Sequence, residues 1–246
     1  METQTIERQR TTTAAGPATI VGYTGATALI IAAAWFWLVT QGVTVAPAPR
    51  VGPGVALSQG MRIYYRWQAT NLSQERYYMS IAIAGFLCLA AAASFVPDLL
   101  GRDRPLARMG AGLVSAGSLL WVAGSVLVLG GHRAVGLMAT HANPIQTTNS
   151  IAFTIETIGE AFALVAFALI GAGLLGLAAT GRHGGRGWVS YTIVAALVML
   201  VTAGAYATGN GNFSDLMLVA SAGVLSAWLI WAGRIGGTGH PSPNAS

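Results

Sequence analysis

Two glutamates inside an apolar stretch are the residues of this sequence best suited to chemistry. Glu156 and Glu160 lie four positions apart in a run that is otherwise almost entirely apolar or hydroxylic. This spacing places both carboxylates on the same face of a helix. An ionised side chain in an apolar phase is costly, so it faces a protein interior, pairs with a cation, or binds a proton or substrate. We therefore predict a polar pocket around this pair.

Four more residues are candidate members of this buried polar site, namely His132, Arg133, His141 and Arg76. An arginine paired with a glutamate would lock helices together without further function, because breaking a buried pair leaves an uncompensated charge. The same residues would otherwise line a proton or substrate site, or belong to a water-exposed helix end. Histidine and glutamate also bind divalent metals. Their spacing fits no established metal motif, so we predict no metal site.

The sequence predicts no cofactor and no catalytic residue. No histidine lies centrally in a predicted helix, where ligation of a haem would require one. The chain contains no lysine, which excludes a Schiff base with retinal. Its single cysteine, Cys88, has no partner in the chain for a disulfide or a thiol relay. These absences favour a non-enzymatic role and leave only the two glutamates as possible acid or base groups.

Six hydrophobic runs must position these residues. Hydrophobic residues make up 54% of the chain and charged residues 9%, whereas soluble domains carry about a quarter charged residues. Each run approaches the roughly 20 residues that cross a hydrocarbon core. The fold class is therefore an all-α polytopic transmembrane bundle. We predict helices over about 18–43, 77–100, 109–131, 151–180, 188–208 and 216–233.

The predicted transmembrane domain covers residues 18–233, between a disordered cytoplasmic segment 1–17 and a disordered cytoplasmic tail 234–246. Its longest connection, about residues 44–76, lies on the outer side. The second half of that connection mixes aromatic residues with arginines, as in an amphipathic helix on the membrane surface; a solvated loop is the alternative. We expect Asn71 or Ser73 to cap the second helix, and Ser214 or Asp215 to cap the sixth after a tight turn.

The arginines predict the orientation, because basic residues accumulate in short cytoplasmic loops. The residues that lie on one side of a six-helix topology are Arg8, Arg10, Arg102, Arg104, Arg108, Arg182, Arg186 and Arg234. Both termini are then cytoplasmic in a multi-pass protein of the inner (plasma) membrane. The outer connection carries Arg50, Arg62, Arg66 and Arg76, which weaken this bias without reversing it. No concentrated basic face predicts nucleic-acid binding.

The stretch that begins at Arg104 and ends with His132 and Arg133 reads RPLARMGAGLVSAGSLLWVAGSVLVLGGHR, and apolar sequence with the two glutamates follows it. In layout and texture this chain resembles a family of six-helix bacterial integral membrane proteins of unknown function. The resemblance implies a membrane bundle and no established activity or site residue. Abundant alanine and glycine, with arginine as the only strong base, also suit a high-GC bacterial genome.

Three functions remain open at this point. The first is a non-enzymatic accessory or structural subunit, or a self-associating bundle, whose partners are membrane lipids and other subunits or a second copy. Small residues at helix-packing spacing favour it. The second is a small-molecule or proton-coupled transporter that uses Glu156 and Glu160. The third is an intramembrane enzyme acting on a lipid or isoprenoid, with a glutamate as general acid or base.

Overall fold

The computed structural model describes residues 16–40, 57–99, 105–140, 145–180, 185–208 and 211–237. These residues form six α-helices: α1 (Pro17–Thr40), α2 (Leu57–Leu99), α3 (Pro105–Thr140), α4 (Ile145–Thr180), α5 (Gly185–Ala207) and α6 (Gly211–Gly237). No strand occurs within these ranges. The prediction of an all-helical chain with six long apolar helices is confirmed.

All six helices are long and apolar enough to cross a membrane. Large apolar side chains are exposed along every one of them, such as Ile30, Leu87, Leu119, Val165 and Leu197. In water such a surface would be unfavourable, whereas hydrocarbon solvates it without cost. The arrangement indicates a multi-pass membrane protein.

The helices form a closed ring in chain order. Each helix packs against the next, and α6 packs against α1, while α2 also touches α4 and α6. One hydrophobic core, contributed by all six helices, fills the inside of this ring. The four connections from α2 to α6 are consequently short, as in other helix bundles, whereas residues 41–56 separate α1 from α2.

A seven-residue glycine repeat joins α3 to α4. Gly110, Gly117, Gly124 and Gly131 all face α4. A methyl group added at Gly110 would lie 2.7 Å from the carbonyl oxygen of Gly173, and one at Gly117 would lie 2.6 Å from that of Ala166. Small residues allow this close backbone approach. Its packing energy holds the helices together in lipid, where the hydrophobic effect does not drive helix association. A strict seven-residue period keeps the seam facing one partner along a left-handed crossing.

Helix α1 is fixed between α2 and α6 by similar contacts. A methyl group at Gly22 would lie 2.6 Å from the carbonyl oxygen of Leu229, and one at Gly25 would meet Cys88. Two interhelical hydrogen bonds accompany this packing: the Thr19 hydroxyl donates to the Gly233 carbonyl (2.9 Å), and the Ser226 hydroxyl donates to the Ala26 carbonyl (3.1 Å). These contacts belong to the first part of α1 and the last part of α6.

The second helix differs from its prediction. It begins at Leu57 and continues to Leu99, so the second half of the predicted connection 44–76 is neither a loop nor a separate surface helix. Asn71 and Ser73 therefore lie inside the helix and do not cap it. At 1.5 Å per residue, α2 is roughly 65 Å long, about twice a hydrocarbon core.

Other helix ends also extend beyond their predictions. Helix α3 continues to Thr140, α4 already begins at Ile145, and α6 runs from Gly211 to Gly237. Ser214 and Asp215 are thus inside α6, and the predicted tail from Arg234 begins with helical residues. The polar residues at these ends had suggested loops, yet they continue helices whose backbone hydrogen bonds are satisfied within the segment. Residues 1–15 and 238–246 lie outside the described ranges.

Candidate functional site

A cavity of about 310 Å³ opens at one end of the bundle. All six helices contribute to its wall, so it occupies the middle of the ring. The lining residues are Phe36, Glu75, Tyr78, Met79, Trp121, Gly124, Ser125, Val128, His132, Glu156, Gly159, Glu160, Ala163, Tyr206, Asp215 and Leu218. This volume lies at the lower end of the range for small-molecule pockets.

The helices rise unevenly around the cavity mouth. Beyond their lining residues, α1, α5 and α6 end almost at once, at Thr40, Ala207 and Gly211. Helix α2 begins as early as Leu57, and α3 and α4 extend to Thr140 and Ile145 on the same side. In the part of the chain that the structure describes, three long helices border the mouth on one side and three short helix ends border it on the other.

The cavity wall is strongly acidic. Glu75, Glu156, Glu160 and Asp215 line it, which is half of the eight carboxylates in the chain. Among the described lining residues, His132 is the one histidine and there is no arginine. With four carboxylates and a single basic side chain, the described wall favours positive charge.

His132 and Glu75 join α3 to α2 inside this wall. The Nδ1 of His132 lies 2.6 Å from Oε1 of Glu75, and the two side chains are 12% and 15% exposed. An ionised carboxylate can only accept, so Nδ1 of the histidine carries the proton and donates it. The opposite ring nitrogen, Nε2, is buried and has no hydrogen-bond partner among the described residues. Glu75 thus holds the Nδ1 side of the imidazole ring in place. The other nitrogen, Nε2, remains able to exchange a proton or bind a ligand.

The two glutamates of α4 lie one turn apart on the cavity side of that helix, as their spacing predicts. Glu156 interacts electrostatically with His132, Glu160 and Glu75. Glu160 and Asp215 both act electrostatically on Tyr206 of α5. The side chains of Glu156, Glu160 and Asp215 retain much of their accessible surface, and the part that faces the cavity is available to its contents.

Aromatic rings close the cavity at its inner end. Trp121 lines the wall and stacks on Phe86 with ring centroids 4.1 Å apart. Phe86 contacts Phe167 edge to face (6.2 Å), and Phe167 stacks with Tyr206 (6.0 Å). Phe86 and Phe167 are almost fully buried. Beyond this layer the centre of the ring is filled by apolar side chains such as Leu89 and Ile170, so the cavity is accessible from one end of the bundle.

The structure brings together three of the six predicted site residues, namely Glu156, Glu160 and His132. Arg76 and Arg133 are exposed and do not line the cavity. His141 lies outside the described residues. Neither Arg76 nor Arg133 therefore forms an ion pair with a glutamate of the cavity wall. Whether the remaining residues form a functional site stays a prediction.

Glu75 and Asp215 were missing from that prediction. The predicted outer connection includes Glu75, because the second helix is predicted to begin at residue 77. The sixth helix is predicted to begin near Asp215, with this residue or Ser214 as its cap. One signal was available for Glu75: no proline interrupts the sequence between Pro53 and Pro97, so a helix can extend upstream far enough to include it. For Asp215 no comparable signal exists in its own segment.

The acidic groups are spread around the wall rather than gathered at one point. Among the described residues, no three histidine, cysteine or carboxylate side chains are close enough together to hold a metal ion. No protein-family model matches the chain, and no curated protein or solved structure matches it significantly. The chemistry of the cavity must accordingly be argued from its own residues.

Proposed function

We propose that this chain is a proton-coupled transporter that binds a small organic cation in the acidic cavity. The observation that carries the proposal is a wall whose described residues include four carboxylates and one histidine but no arginine. Carboxylates within a membrane bundle mark substrate or proton pathways. A bound cation would neutralise part of their mutual repulsion, which favours its binding over that of an anion or a neutral solute.

The composition of the wall favours an organic cation over a metal ion. Metal binding needs several ligands within coordination distance, whereas these carboxylates are dispersed. Phe36, Tyr78, Trp121 and Tyr206 provide aromatic surfaces in the same cavity. Ammonium groups bind well to such surfaces through cation–π interactions, and aromatic cages are a known means of recognising quaternary ammonium ligands.

Proton coupling follows from the same groups. A carboxylate that holds a proton cannot also neutralise a cation, so cation binding displaces protons from the wall. His132 can pass such a proton through its unpartnered Nε2. The aromatic layer under Trp121 separates the cavity from the other end of the bundle, and transport would require that layer to open while the mouth closes.

We further propose that the cavity faces outward from the inner membrane, with both chain termini in the cytoplasm. The cavity end is opposite to the short connections between α2 and α3 and between α4 and α5. Those connections contain Arg102, Arg104 and Arg182, and short arginine-rich loops favour the cytoplasmic side.

An accessory subunit and an intramembrane enzyme remain predictions with less support. Several small residues that suggested an external partner, including Gly110, Gly117, Gly171 and Gly173, already pack within the chain. An enzyme would need a nucleophile or a base close to a reacting group, and the cavity offers only the dispersed carboxylates and His132.

Reconstituted vesicles provide the test. With an outward-directed proton gradient, wild-type protein should accumulate tetramethylammonium or methylammonium, and addition of the cation should release protons. Glu160→Gln should reduce this uptake at least about tenfold, because it removes a charge from the cavity without changing side-chain size. Asp98→Asn serves as the matched control, since Asp98 is exposed near the end of α2 and does not line the cavity.

Uptake that is equal in wild-type and Glu160→Gln protein would overturn the proposal. So would a wild-type protein that neither binds nor transports tetramethylammonium, methylammonium, guanidinium or benzyltrimethylammonium. Co-purification of the untagged chain with a stoichiometric partner, together with the absence of cation uptake, would support the accessory subunit instead.

A further inference from the structure

A narrow apolar cleft continues the acidic cavity between α1, α2 and α6. Its wall contains small side chains on α1 and α6, among them Ala33 and Ala222, and larger apolar ones such as Leu29 and Val219. None of its lining residues is charged. The cleft has a volume of about 40 Å³, against about 310 Å³ for the cavity.

The two spaces share part of their walls. Phe36, Tyr78, Met79, Trp121 and Leu218 line both. A molecule in the cavity can therefore extend into the cleft without leaving the protein. The change in character is abrupt, from carboxylates on α2, α4 and α6 to a wall of alkyl and aromatic groups.

The packing of α1 explains why the cleft lies where it does. Its first half is held tightly against α6 by the close approach of Gly22 to Leu229 and the Ser226 hydrogen bond. Its second half contains Ala32 and Ala33, which leave a gap opposite Val219 and Ala222. Ile30 and Ile31 on the same helix are exposed, so this gap adjoins the lipid-facing surface.

We infer that the cation bound by the acidic cavity is an amphiphile, with an ammonium head among the carboxylates and an unbranched hydrocarbon chain in the cleft. This inference rests on the proposed function, because it specifies the substrate class of the same site. At about 40 Å³ the cleft has room for one or two methylene groups of a linear chain, and the rest of the chain would follow the adjoining gap toward the lipid-facing surface. Burial of each methylene in an apolar wall adds to affinity.

A free amphiphilic cation fits the cavity better than a zwitterionic phospholipid. The phosphate of such a lipid would lie next to its ammonium group and thus among Glu75, Glu156, Glu160 and Asp215. Like charges at that distance repel. A single-chain alkylammonium has no such penalty.

The experiment measures binding of alkyltrimethylammonium ions to the full chain in nanodiscs, with empty nanodiscs subtracted to remove partition into lipid. Hexyltrimethylammonium should bind about tenfold more tightly than tetramethylammonium, since the first methylene groups of its chain enter the cleft. Ala222→Leu and Ala33→Leu, which fill the cleft, should remove this gain while tetramethylammonium affinity stays unchanged. Ala123→Leu, an exposed alanine on α3, is the matched control and should retain the gain.

The outcomes separate the two proposals. Suppose that tetramethylammonium binding depends on Glu160, but the hexyl chain does not raise the affinity, or raises it equally in both cleft variants. The inference of an amphiphile is then overturned, and the proposal of a bound cation stands. If no member of the series binds in a manner that depends on Glu160, both fail. Hexylphosphocholine tests the source of the ligand: equal binding of this zwitterion would contradict the preference for a free cation.

Discussion

The seam between α3 and α4 has two halves of different character. In the half away from the cavity, Gly110 and Gly117 face backbone atoms of α4 at distances that leave no room for a methyl group. In the cavity half, Gly124 and Gly131 face the side chains of Phe162 and Ile155. The same seven-residue repeat thus brings the helix backbones together at one end and leaves side chains between them at the other.

This difference shows how one bundle combines a rigid part with an open one. Close backbone contact supplies the packing energy that holds transmembrane helices together. The open half gives up such contacts and instead contains carboxylates, whose mutual repulsion opposes folding. Sites that bind ligands are commonly stabilised by well-packed elements elsewhere in the fold. We expect the closed half of the seam to hold the acidic half in place.

The largest effect should come from filling the closed half. Gly110→Leu should lower the free energy of unfolding by about 3 kcal/mol or more, because the added side chain meets the backbone of Gly173 and the helices must separate. Gly112→Leu, two residues away, has open space around it and should have little effect or stabilise the helix. Thermal unfolding of both variants in detergent measures this difference. Equal losses would mean that the close approach contributes nothing.

An intermediate effect is expected from the contact between Glu75 and His132. Each single change, Glu75→Ala or His132→Ala, should cost about 1–3 kcal/mol, because it leaves the other polar group buried without its partner. The double variant should cost less than the sum of the two. A double-mutant cycle measures this coupling, and strict additivity would show that the 2.6 Å contact is energetically neutral.

The smallest effect should come from the cavity half of the repeat. At Gly131, an added methyl group meets the Cγ2, Cδ1 and Cγ1 atoms of the Ile155 side chain and no backbone atom of α4. A side chain can shift more easily than a packed backbone, so Gly131→Ala should lower the free energy of unfolding less than Gly110→Ala, whose added methyl group meets the carbonyl oxygen of Gly173. If Gly131→Ala destabilises the protein as much as Gly110→Ala, the two halves do not differ in the way described.

The sequence contains enough information to predict the bundle and part of the site. Hydrophobic runs predict six helices, and the spacing of Glu156 and Glu160 predicts their common face. The repeat of Gly110, Gly117, Gly124 and Gly131 is also visible in the sequence, and its period indicates one continuous partner helix. These features are local, so they can be recognised along a single segment.

The rest of the site depends on contacts between distant segments. Phe36, Glu75 and Asp215 come from α1, α2 and α6 and meet only because the ring closes. The polar sequence around Glu75 suggested a loop, although a helix without an internal proline can continue through it. The extent of the cleft likewise depends on how closely α1 approaches α6, which the composition of either helix does not determine.

The uneven border of the cavity mouth has a consequence for the proposed substrate. On the side of α1, α5 and α6, the described helices end within a few residues of the cavity lining. For the amphiphilic cation proposed above, this side is the shorter path from the adjacent monolayer. Its loading would then follow its density within the leaflet rather than its concentration in bulk water.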